Sequence, residues 1–126
     1  MLFLIIMEEY MKLKEQYQKL KLQYLYHIIL IKSGNFYVTF DGDASVFYYL
    51  FNYQITENKV GFPINNIDKI LFELRENQLN YIIVESDEQK TIQYTEYSNE
   101  PYQKLLEKSK KYELEKKNHQ QLLEKI

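Results

Sequence analysis

The sequence predicts an α/β domain of the α+β kind, a mixed β-sheet of about six strands with packed helices, followed by a long C-terminal helix. Three observations carry this prediction. Short apolar runs such as FYVTF (36–40) and YIIVES (81–86) have the length and β-branched, aromatic character of strands. Stretches with helical spacing of apolar residues fall between them. The segment from Pro101 to Ile126 is rich in lysine and glutamate and has one sparse apolar edge. At 126 residues, 45% hydrophobic and 16% aromatic, the chain has material for one core but not two.

The elements follow in order. Tyr10, Tyr17 and Tyr24 recur every seven positions, with Leu13 and Leu20 three residues after the first two, so 8–29 reads as a helix with one bulky stripe. IILIKS (28–33) leads into a turn at Gly34. FYVTF then alternates, with Phe36, Val38 and Phe40 on one face and Tyr37 and Thr39 on the other. Asp43 is placed to N-cap a short apolar helix over 44–51. YQIT and KVGFPI flank Glu57–Asn58 as a tight hairpin, and Asn65 or Asn66 caps a helix carrying Ile67, Ile70, Leu71 and Leu74. YIIVES is a central strand, and KTIQYTE (90–96) is its partner across Ser86–Gln89. Pro101 opens a long, largely exposed helix with Glu107–Lys111 and Glu113–Lys117 at i,i+4 spacing. The organisation is therefore a domain over 1–100 and a charged helix over 101–126.

The opening MLFLIIM (1–7) is too short to span a bilayer and lacks the basic region and cleavage site of a signal peptide. It reads as a buried segment, or as a non-native stretch over 1–6 ahead of a start at Met7, in preference to a membrane-associating tip. With no cysteine, disulfides and thiolate metal sites are excluded, and a cytoplasmic location is expected. His27 and His119 lie far apart in sequence, which disfavours zinc.

Charge is unevenly spread beneath a net −2. Residues 1–32 carry +2, residues 33–100 carry −7 and residues 101–126 carry +3. A phosphate backbone would be repelled by the middle and tolerated by the ends. Three glycines leave no phosphate-cradling loop, and neither histidine accompanies an activated nucleophile. Glu85, Asp87, Glu88 and Lys90, with Asp68 upstream, have the residue types of a metal-dependent nuclease. Their loose spacing reads first as a solvated turn. No enzyme activity, cofactor or metal is expected.

The stretch from Tyr17 to Thr56 resembles the start of the MutS mismatch-repair family. That family opens with a K-x-Q helix and a strand, then G-x-F-Y-E-x-x-x-x-D-A and a helix. Lys21, Gln23, Gly34, Phe36, Tyr37, Asp43, Ala44, Leu50 and Thr56 fall in that register without a gap, and GFP (61–63), Leu71, Leu74 and Glu85 continue it. The resemblance implies a MutS domain I-like fold standing alone, without the family's lever, clamp and ATPase parts, and so ATP-independent. It also implies association with duplex DNA in mismatch repair. The family's phenylalanine wedges against a mispaired base, and a glutamate two residues on accepts a hydrogen bond from that base. Phe36 matches the wedge, but Val38 stands at the glutamate position. Loss of that glutamate also occurs in family subunits that do not read the mismatch. The connection from Thr56 to Gly61 is short for the family, and Gln78 stands where glycine is common.

Two placements of Phe36 therefore stand side by side. Alternation puts it in the core with Val38 and Phe40, whereas the resemblance has it projecting. Lys12, Lys14, Lys21 and Lys32, with Lys19 and the C-terminal lysines, are the candidate phosphate contacts, and the expected DNA binding is weak and salt-sensitive. The alternative is a protein-interaction or adaptor module, docking on a larger repair protein or forming a homodimer through the terminal helices. No membrane partner is expected.

Overall fold

A computed structural model describes residues 1–85 and 90–125. Its elements are α1 (Leu2–Gln23), β1 (Ile28–Ser33), β2 (Phe36–Phe40), α2 (Asp41–Phe51), β3 (Lys59–Pro63), a 3₁₀ turn (Ile64–Asn66), α3 (Ile67–Glu76), β4 (Tyr81–Val84), β5 (Thr91–Tyr94) and α4 (Glu100–Glu124). The strands form one sheet in the order β3-β2-β1-β4-β5. β1 and β4 run parallel, and every other neighbouring pair is antiparallel. The expected mixed α+β class is what the chain adopts, with five strands where about six were expected. The difference lies in YQIT, which contributes a single bridge, Thr56 to Lys59. Glu57 and Asn58 both have positive φ (53° and 62°), the geometry of a type I′ turn, so the expected tight turn forms there.

Three layers result. On one face Ile28, Leu30, Tyr37, Val60, Phe62, Tyr81 and Ile83 meet Phe47 of α2, Ile70 and Leu74 of α3 and Tyr102 of α4. On the other, Ile29, Ile31, Val38, Phe40, Ile82 and Val84 meet Tyr17, flanked by Tyr10, Leu13, Leu20 and Tyr24 of α1. The tyrosine–leucine stripe is thus used on the sheet. β1 and β4 are covered on both faces, which is why they read as unbroken apolar runs.

Several expectations shift. The helix predicted over 8–29 spans Leu2–Gln23, because Ile28 and Ile29 are consumed by the middle strand. The opening residues, expected to be buried, continue α1 as exposed helix. Asp43 does not cap α2. That helix begins two residues earlier, and the Asp43 carboxylate turns inward to tertiary donors. Asn66 makes no side-chain cap, its amide donating to Tyr53 Oη at 3.4 Å. α4 is largely exposed, as expected, but not on every side of its first half. Its proximal half buries Tyr102 and Ser109 and packs along α2. Among the described residues, the ion pair formed on α4 is Glu100–Lys104 at 2.8 Å rather than the two expected ones, and Glu113 accepts from Ser45 Oγ at 3.3 Å. Among the described residues, no helix is long and apolar enough to cross a membrane.

Candidate nucleic-acid interface

The site is built at one end of the sheet, where β1 turns into β2. Ser33 pairs with Phe36, leaving Gly34 and Asn35 as a two-residue loop. Gly34 takes φ +61° while Asn35 does not have positive φ, the pattern of a type II′ turn that favours glycine first. The turn starts β2 at Phe36, between Ser33 of β1 and Pro63 of the edge strand β3.

Phe36 is 50% exposed, although Val38 and Phe40 on the same strand face are buried. The position of α1 explains the contrast. Its Tyr10 and Tyr17 rings lie 5.9 and 5.4 Å from the Phe40 ring, so α1 crosses the far end of the strand. Cover on that face extends to Val38 and stops there. Strand alternation assigned the face correctly but could not say how far α1 reached.

The neighbouring aromatic is used differently. Tyr37 points to the opposite face, its ring 5.8 Å from that of Phe62. Its hydroxyl donates to Glu85, 3.0 Å from each carboxylate oxygen, across β1 and beside the register position of Lys32. Burial first, and then the Glu85 carboxylate, push the Tyr37 hydroxyl up to about 12. Nothing in the sequence marked this contact, which joins positions 48 residues apart.

The candidate lysines divide into groups. Lys21 is committed to the interior of the fold. Its ammonium donates to Asp43 Oδ1 and Oδ2 (2.9 and 3.1 Å), to His27 O (2.6 Å) and to Tyr102 Oη (2.9 Å), and lies 4.5 Å from the Tyr102 ring centroid. Asp43 is fully buried and also accepts from Tyr17 Oη (2.9 Å), Tyr102 Oη (2.7 Å) and Ile29 N (3.1 Å). Burial foremost, then the Asp43 charge, push the Tyr17 and Tyr102 hydroxyls far up. Burial, then Lys21, lowers His27. Lys21 therefore has no ammonium to offer a phosphate. Two residues of the family-like motifs, Lys21 and Asp43, meet each other here.

Helix geometry sorts the remaining lysines of α1. Gln18, Lys21, Leu22 and Leu25 line a groove of about 530 Å³ with Asp41, Gly42, Tyr102, Leu106 and Lys110, at the strand end away from Phe36. Lys14 shares that flank, four residues before Gln18. Lys12, Gln16, Lys19 and Gln23, spaced i, i+4, i+7, i+11, form the opposite flank of the helix. Lys12 and Lys19 are exposed, and Lys32 at the end of β1 is half-buried.

Of the candidate nuclease residues, Asp87 and Glu88 lie outside the described residues, as does the turn Ser86–Gln89. Glu85 is occupied by Tyr37. Among the described residues, no three histidine or acidic side chains are grouped to hold a metal ion.

A mixed five-stranded sheet between helical layers, with Phe36 projecting from a glycine-turned strand mouth, defines a three-layer α/β domain. The model of the MutS domain I family matches residues 11–119, and the chain belongs to that family. None of the curated proteins compared with it matches.

Proposed function

We propose that this chain is a non-catalytic MutS domain I module that engages duplex DNA with its Phe36 corner, weakly and with little preference for mispairs. The observation that carries this reading is the half-exposed Phe36 ring at the position matching the family's wedge. Inserting an aromatic side chain between bases costs a few kcal/mol of unstacking, recovered through contacts to the bent duplex. The exposed Lys12 and Lys19 of α1, with Lys32 at the end of β1, supply the phosphate contacts. Few such contacts and a −7 central segment hold the affinity down and make it salt-sensitive. Low mismatch selectivity follows from Val38, which is buried and apolar where the resemblance has a base-reading glutamate.

Fluorescence anisotropy with matched and mispaired duplexes at low and physiological salt tests this. The wild-type chain should bind both duplexes at low salt and release both as salt rises. Phe36→Ala should weaken binding to the mispaired duplex several-fold with an unchanged unfolding midpoint, since the ring is largely outside the core. Strong mispair preference persisting at physiological salt would refute the loss of the reader, and an unaffected Phe36→Ala variant would refute the wedge.

A further inference from the structure

The first nine residues are all exposed, and the stretch from Leu2 to Met7 is apolar on every side of helix α1. Exposure runs from 72% at Leu2 to 46% at Met7, and Met11 one turn on is also exposed. The last tie to the domain is Tyr10, whose hydroxyl donates to Glu57 O at 2.8 Å. α4 leaves from the same corner. Glu57 and Asn58 share a groove with Glu113, Lys116, Lys117 and Gln120, and every described α4 residue beyond Glu113 is exposed, including Leu114, Leu122 and Leu123.

We propose that a second copy of this chain covers these two arms, the four helical ends packing as a short bundle about a two-fold axis. Three properties select this occupant. A helix apolar all round is satisfied only when surrounded, which one flat partner face cannot do and a four-helix bundle can. Seven large exposed apolar side chains between Leu2 and Met11, joined by three leucines on α4, are on the scale of the roughly 800 Å² per partner that a stable interface buries. Charge is complementary. Glu8 and Glu9 adjoin the α1 tip, Lys116 and Lys117 lie on the α4 arm, and neither set makes a salt bridge within the chain among the described residues, Lys116 lying 5.4 Å from the Tyr112 ring centroid. An isologous dimer sets the acids of one copy beside the lysines of the other twice over.

Light scattering on the full chain across 1–100 μM, with the Phe3→Asp/Ile6→Asp variant in parallel, tests the pairing. Both substituted positions are exposed, so the variant should keep the wild-type circular dichroism and unfolding midpoint of the domain. The wild type should approach twice the monomer mass and the variant should remain monomeric. A monomeric wild type at 100 μM, or a dimer that survives both substitutions, overturns the proposal. Flotation of the wild type with phosphatidylcholine vesicles in place of dimer formation would overturn it too, assigning the tip to a lipid surface.

Discussion

Val38 and Phe36 sit two residues apart on one strand face, yet α1 covers the first and leaves the second in water. Val38 is 5% exposed and belongs to the buried apolar cluster of Tyr17, Ile29, Ile31, Phe40, Ile82 and Val84. Val38→Glu would therefore bury an uncompensated carboxylate rather than recreate a base reader. It should cost about 3–5 kcal/mol in urea unfolding, the scale for an unpaired buried charge, and should bring no mispair preference in anisotropy. A stable variant that gained such preference would contradict this account of the strand. Position in sequence and position in the family pattern both pointed at residue 38. Only its neighbours decide what it tolerates.

Between elements, α2 packs against α4 at a glycine. A Cβ placed on Gly42 would lie 3.0 Å from Leu106 Cδ1, so glycine here sets how near the two helices come. Gly42→Val should cost about 1–3 kcal/mol by overpacking, read as a lower unfolding midpoint, and Leu106→Ala in the same chain should return part of the loss. The end of α3 shows a similar local economy. Leu79 N donates to Leu74 O and Gln78 N to Arg75 O, a Schellman ending that puts Gln78 at φ +58°. The family's glycine at that position matches this backbone need. Helical spacing revealed α3 and the start of α4 from sequence because both use one apolar face. The true ends of α1 were hidden, since its tip is apolar without a face and its C-terminus runs into β-branched residues claimed by the sheet.

Across the whole molecule, one buried carboxylate joins α1, β1, α2 and α4. Asp43 accepts from Tyr17, Lys21, Ile29 N and Tyr102, so the helix on one side of the sheet and the helices on the other share a single anchor. Asp43→Asn should destabilise the domain by about 3–5 kcal/mol because the Lys21 ammonium is left without its counter-charge. The Asp43→Asn/Lys21→Met double variant should recover much of that, since removing both charges removes the unpaired one. Equal losses in the single and double variants would show that the pair is not the link described. The sequence by itself determined the α+β class, four of the helical and most of the strand segments, the two hairpin turns and the family, because periodicity, glycine placement and motif register are local quantities. The tertiary structure alone decided that Phe36 projects, that Val38 is enclosed, and that Lys21 faces Asp43 rather than solvent. Each of these depends on where α1 lies across the sheet, and that position is set by packing between residues far apart in the chain.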